Sequence, residues 1–279
     1  MMTVGYQGEP GAYSEEAVHL LFPDARAEPR RTLRQIFADL RSGRLAHGVV
    51  PLENSQAGSI NETYDLLADG DVLVVGEAVI SVDHALLALP GTTVEQVRRV
   101  ASHPQALAQC QDFLAGLDAE IVPVYDTAGA ALRIARERRE GEAAVASERA
   151  AELYGLEVLS RRIQDSSPNF TRFAAVATKP EPLGRPDKTS IVFGTAHAPG
   201  ALYRSLRPFA ERGLNLTKLE SRPLADAPWQ YRFYLDVEAG SGDPALAEAL
   251  DELGRDARFV RVLGSYPRWR HGTGEGAEG

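Results

Sequence analysis

The chain has 279 residues, about twice the common single-domain length of roughly 150, so more than one folded unit is expected. Hydrophobic residues make up 44% and charged residues 25%; no apolar run nears the roughly 20 residues a membrane span needs, and the opening MMTVGYQGEPGAY has neither a basic n-region nor an apolar h-region, which predicts a cytoplasmic protein with no membrane partner. The net charge of −9 lies in residues 1–184, with 17 Lys+Arg against 26 Asp+Glu, while 185–267 balance at 11 and 11; this argues against a nucleic-acid partner, and the lone Cys110 excludes a disulfide framework or a thiolate metal cluster.

From residue 3 to 178, β-rich apolar runs alternate with helical patterns. Strands are predicted at 3–6, 48–52, 72–82, 97–102, 120–124, 143–146, 157–163 and 172–177. Helices fall between them at 14–21, 32–41, 60–67, 105–114, 128–138 and 147–154, with Ser14 and the capping box Thr32-x-x-Gln35 as start signals. That alternation predicts an α/β fold, and the long extended stretch 72–89 predicts a crossover between two lobes. Residues 179–187, with three prolines and a glycine, read as a linker. Residues 188–267 follow a different plan: strand 190–195, helix 200–212, strands 215–220 and 230–238, helix 244–254, strand 259–264. This is the ferredoxin-like βαββαβ order. The tail 268–279, dominated toward its end by Gly and Glu, has little to bury and is expected to be disordered.

Several chemistries are excluded. The histidines show no H-x-x-x-H spacing, the run Gly184-Arg-Pro-Asp-Lys188 lacks the glycine of a phosphate loop, and no G-x-G-x-x-G is present, so neither a metal nor a cofactor is expected. What remains are loops of small polar residues at predicted strand ends. They are Gly8-Glu-Pro-Gly11-Ala-Tyr-Ser14, Pro51-Leu-Glu-Asn54-Ser55-Gln-Ala-Gly58, Ser102-His103-Pro-Gln105 with Gln109, Asp126-Thr127, and 163–173. Ligands of open α/β sheets sit at such ends, near helix N-termini that attract anions, although each residue singly serves equally as a cap or turn former. Cys110 and His103 read as a core residue and a helix-entry residue.

Together these segments resemble the prephenate dehydratase family. The matches are Gly8–Ser14, Pro51–Gly58, Ser102-His-Pro-Gln-Ala-Leu-Ala-Gln-Cys110, Asp126-Thr-Ala-Gly-Ala130 and Asn169-Phe-Thr-Arg-Phe173, followed by Pro199-Gly-Ala-Leu202 and Glu220-Ser-Arg-Pro223, the two signatures of that family's ACT regulatory domain. The resemblance implies a catalytic domain at 1–178 built like a type II periplasmic binding protein. One lobe would comprise about 1–76 with 170–178 and the other 82–163, with the active site between them and the ACT domain at 188–267.

The implied reaction turns prephenate into phenylpyruvate with loss of carbon dioxide and water, for phenylalanine biosynthesis. By motif match Thr171 would face the departing hydroxyl, and Arg172, a planar two-pronged donor, would hold the pyruvyl carboxylate. Asn54, Ser102 and Gln109 would orient the substrate, with Ser55, Asn169 and Phe173 as further binding positions. Gly200, Ala201, Leu202, Asn215, Leu216, Glu220, Ser221 and Arg222 would line or shape a site for L-phenylalanine as effector, Glu220 facing its ammonium. A homodimer or homotetramer is implied. The competing readings are an arogenate dehydratase and a catalytically silent sensor of aromatic amino acids.

Overall fold

The structure, a computed structural model, describes residues 1–166, 168–224 and 227–270. Contacts divide the chain into two compact units, residues 1–63 with 79–173 and residues 64–78 with 174–279.

The first unit opens with β1 (Thr3–Gln7), α1 (Tyr13–Leu21), β2 (Arg26–Arg30), α2 (Leu33–Arg41), β3 (His47–Asn54) and the short β4 (Gly58–Ser59). The capping box forms as expected, the Thr32 side chain accepting from the Gln35 backbone N–H and the Gln35 side chain from the Thr32 backbone. Next come α3 (Asn61–Ala68) and β5 (Leu73–Ser81), which run from one unit into the other. A second sheet region follows, with β6 (Ala85–Ala88), β7 (Arg99–Ser102), α4 (Pro104–Ala108), α5 (Gln111–Ala115), β8 (Glu120–Pro123), α6 (Thr127–Glu137), β9 (Glu142–Ala146), α7 (Glu148–Tyr154) and β10 (Glu157–Ser160). The return crossing is β11 (Phe170–Ala177).

The strand orders are β2-β1-β3-β11-β5, with β4 on β3, and β10-β6-β9-β7-β8. Two sheets joined by two crossings give the two-lobed α/β plan, as the sequence predicted. The second sheet is buried on both faces. Ala85, Leu87, Ala144 and Ala146 pack against the alanines of α6 and α7, while Leu86, Ala88, Ala143 and Val145 pack against Leu107, Cys110 and Leu114. A sheet covered on both sides needs uninterrupted apolar strands, which is why ALLA and EAAVA show no alternation.

Two glycines hold the loop after β1 against this second lobe. Gly8 (φ +117°) and Gly11 (φ +87°) adopt the left-handed backbone region. A Cβ at Gly8 would lie 2.9 Å from Asp126 Oδ2, and one at Gly11 3.1 Å from the Ala150 Cα. Ser147 Oγ donates to the Gly11 carbonyl and Tyr154 to that of Pro10, fixing the approach.

In the second unit β12 (Lys188–Gly194), α8 (Ala201–Glu211), β13 (Leu216–Leu224), β14 (Ala227–Val237), α9 (Pro244–Asp256) and β15 (Phe259–Tyr266) form a sheet of order β13-β14-β12-β15, the ferredoxin-like module expected. Phe209, Leu246, Ala249 and Leu253 of its helices pack on Ile191, Phe193, Leu235 and Val237. Its strands also carry polar groups, and Lys188, Arg222 and Arg232 among them hold residues 64–78. Lys188 Nζ lies 2.9 Å from Glu77 Oε2, Ser190 Oγ donates to Asp236 Oδ1 at 2.6 Å, and Arg222 and Arg232 both pair with Asp65.

Three local features depart from the sequence reading. β2 and β6 went unpredicted: RAEPR is a polar edge strand, and ALLA lay inside the presumed crossover. The helix expected at 105–114 breaks at Gln109 and Cys110, the C-cap of α4 and the N-cap of α5. The expected disordered tail begins in bonded form, with Arg268 paired to Glu238 at 2.6 Å, Arg270 to Asp187 at 2.7 Å and the Trp269 N–H on Glu77. Residues 271–279 of that tail lie outside the described residues.

Candidate active site

A cavity of about 350 Å³ lies within the first unit, lined from both lobes. The loop after β1 and α1 supply Ala12, Tyr13 and Ser14; β3 supplies Asn54; β11 supplies Thr171 and Phe173. The second lobe contributes His84, His103, Gln105, Gln109, Asp126 and Thr127. No lysine or arginine is among the lining residues.

A chain of side-chain amides organises the floor. Asn54 Oδ1 accepts the backbone N–H groups of Gln56 (3.1 Å) and Ala57 (3.0 Å), which fixes the direction of its amide without ambiguity. Its Nδ2 therefore faces Asn169 Oδ1 (2.8 Å) and Thr171 Oγ1 (3.0 Å). Asn169 in turn presents Nδ2 to Gln109 Oε1 at 3.1 Å, and Gln109 Nε2 returns to Asn54 Oδ1 at 3.3 Å. With Asn54, Asn169 and Thr171 all at most 9% exposed, each amide's orientation is dictated by its neighbours.

Thr171, Asn54, Gln109, Asn169 and Phe173, expected from sequence, are thus brought together. Three other expected positions are not. Ser102 is fully buried, and its hydroxyl donates to the Val145 carbonyl at 2.6 Å inside the second sheet, so its neighbours His103 and Gln105 line the cavity instead. Ser55 accepts the Phe170 N–H at 2.9 Å and pins the start of β11 to the end of β3. Arg172, expected to hold a substrate carboxylate, is not among the residues lining the cavity. Successive strand residues face opposite sides, so with Thr171 and Phe173 in the cavity Arg172 points away from it, and its Nη2 lies 3.1 Å from Glu53 Oε2.

The sequence reading missed His84 and Tyr13 as cavity residues. His84 is 3% exposed, and burial holds its pKa below the ordinary imidazole value against the opposing influence of Gln109 and Asp83. Burial likewise lowers the pKa of His103 and raises that of Asp126, whose Oδ1 caps α6 by accepting the Gly129 N–H. The signal available was the tract after β5, where Asp83-His84 stands directly before the apolar run 85–88.

The candidate effector positions divide similarly. Gly200 (φ +74°) is the N-cap of α8, and Ala201 and Leu202 line a pocket of about 170 Å³ with His197, Tyr231 and Phe233. Asn215 bonds Glu238 at 2.8 Å, Leu216 joins the module core, Ser221 is exposed, and Arg222 pairs with Asp65. Glu220, expected to face an ammonium, has Lys218 Nζ 2.9 Å away. None of these five lines that pocket.

Fold and cavity together define a two-lobed α/β protein with a cavity lined by polar side chains at strand ends, followed in the chain by a ferredoxin-like module. The sequence profile of prephenate dehydratase matches residues 4–181. Arogenate dehydratase/prephenate dehydratase 2 of Arabidopsis thaliana, a chloroplastic protein, is 45% identical over 275 residues, covering 95% of this chain and 72% of its own. Among solved structures, prephenate dehydratase from Arthrobacter aurescens in complex with L-Phe has a TM-score of 0.87 at 31% identity, over 96% of this chain and 90% of that one. Another, described as GqqA, a novel type of quorum quenching acylase, has a TM-score of 0.86 at 37% identity over 96% and 98%. The chain belongs to the prephenate dehydratase family and is a dehydratase, a carbon–oxygen lyase.

Proposed function

We propose that this dehydratase converts prephenate to phenylpyruvate with Thr171 as the group facing the departing hydroxyl. The observation that carries the assignment is the Asn54 N–H on Thr171 Oγ1 in the cavity wall. With a lone pair of Oγ1 engaged, the hydroxyl hydrogen is directed to another acceptor, and the cavity offers the place for one. In the reaction the bond from the ring to its carboxylate breaks, carbon dioxide leaves, and the electron pair enters the ring. The ring C–O bond then breaks, and the leaving hydroxide takes a proton to become water. An unperturbed alcohol is a weak acid, so Thr171 contributes a hydrogen bond that strengthens as charge develops on that oxygen.

A tight ion pair to the ring carboxylate would oppose its loss as neutral carbon dioxide, and a cavity wall without Lys or Arg suits that requirement. The pyruvyl carboxylate is assigned to the first turn of α1. Its N-cap, Ala12, has no side chain able to cap, and Tyr13 and Ser14 of that turn line the cavity, while Glu15 and Glu16 in the same turn offset part of the positive end of the helix.

L-phenylalanine is the proposed effector of the module, supported by the Gly200–Leu202 pocket and by the L-Phe complex of the similar Arthrobacter protein. A homodimer or homotetramer and a cytoplasmic setting belong to the same proposal; among the described residues no helix is long and apolar enough to cross a membrane. Phenylpyruvate absorbance in alkali, measured with prephenate and with arogenate-derived phenylalanine followed in parallel, tests the reading. Turnover of prephenate that falls on titration with L-phenylalanine is expected. A higher kcat/KM for arogenate would move the assignment to that substrate, and no turnover of either would favour the sensor.

A further inference from the structure

We infer that His84 is a positioning residue for the reaction, acting through Gln109. The amide chain fixes its tautomer. Because Asn54 Oδ1 is held by two backbone N–H groups, Asn169 presents its Nδ2 to Gln109, and the atom of Gln109 that receives it is the oxygen Oε1. That same oxygen lies 3.0 Å from His84 Nε2. Two acceptors cannot share a hydrogen bond, so His84 carries its proton on Nε2 and donates it to Gln109.

The ring is held for this task from three sides. The His84 backbone N–H donates to Gln164 Oε1 at 3.0 Å, and its carbonyl accepts the Ile163 N–H at 2.9 Å. Tyr13 of α1 packs its ring edgewise on the imidazole, with centroids 5.9 Å apart. The Tyr13 hydroxyl gives its proton to the Asp83 carbonyl at 2.5 Å, which leaves only a 3.4 Å approach between its oxygen and His84 Nδ1. Tyr13 and Asp83 are the titratable neighbours, and burial lowers the imidazole pKa.

The consequence reaches the cavity wall. With Oε1 taken by His84 and Asn169, Gln109 turns its Nε2 toward Asn54 Oδ1, so its own amide is held among the groups around Thr171. Without His84 the Gln109 oxygen keeps only the Asn169 donor, and the amide is held less firmly in that wall. Misplacements of about 1 Å in such networks lower rates roughly 100-fold.

The inference rests on the dehydratase reading, and the experiment separates the two. Wild-type turnover of prephenate is measured first; its absence would remove the function assignment and say nothing about His84. In an active wild type, His84→Leu is expected to lower kcat by about 10- to 100-fold with KM within about threefold, while His84→Gln, whose amide N–H reaches the place of Nε2, restores kcat to within about fivefold. The double variant His84→Leu/Gln109→Ala should be no slower than Gln109→Ala, because His84 acts only through that amide. Unchanged kcat in His84→Leu, failure of His84→Gln to restore it in a protein of wild-type circular dichroism, or additive losses in the double variant would each overturn the inference.

Discussion

Asn54 and Thr171 are 117 residues apart in sequence, yet the amide nitrogen of one donates to the hydroxyl oxygen of the other across 3.0 Å of buried space. The direction of that bond yields a prediction that size alone would not. Asn54→Asp keeps the shape but replaces the donor with an acceptor, so the Thr171 hydroxyl turns its hydrogen to the new carboxylate and away from substrate. A kcat loss of roughly 10²- to 10³-fold is expected, larger than for Asn54→Ala, with KM little changed. Steady-state kinetics on both variants checks the order.

Arg172 and Glu53 form an ion pair, with side chains 13% and 39% exposed, on the side of β11 turned from the cavity. Arg172→Ala and Glu53→Gln should each cost about 1 kcal/mol or less of stability and shift KM by under threefold. A tenfold rise in KM for Arg172→Ala alone would return the arginine to the substrate.

Protonation of buried histidine links stability to pH. His84 and His103 both have folded-state pKa values below their unfolded ones, so below the ordinary imidazole value the unfolded chain binds more protons and folding weakens as pH falls. The Tm of the wild type should therefore drop more between pH 7 and pH 5 than that of His84→Gln, and equal slopes by calorimetry would refute the assignment.

Cys110 is buried in the second lobe, and burial pushes its thiol pKa up to about 12. The native protein should give no reaction with a disulfide reagent at pH 8, and one thiol per chain after denaturation.

Much of this was legible in the chain itself. The alternation of apolar runs and helical patterns, the proline-rich break at 179–187 and the βαββαβ order of the module all reflect local periodicity and turn chemistry, which short stretches carry unaided. The loops bearing Asn54, Gln109 and Thr171 were legible too, since strand ends and helix starts attract the same small polar residues. Even the outward direction of Arg172 was within reach: a strand that turns Thr171 and Phe173 one way must turn the residue between them the other.

Tertiary structure alone decided the rest. Ser102 and Gln109 share one motif, but the Val145 carbonyl on the neighbouring strand accepts the Ser102 hydroxyl inside the sheet, whereas the break between α4 and α5 frees Gln109 to reach Asn54 and Asn169. His84 carried no motif, and its role depends on a partner 25 residues away. Residues 64–78 read as catalytic helix and crossover, yet they fold with the module because Glu77 and Asp65 find Lys188, Arg222 and Arg232 there. The physical reason is common to all three. Periodicity reports which face of an element is buried, while the partner of a buried polar group is set by which distant donor or acceptor the fold brings within about 3 Å.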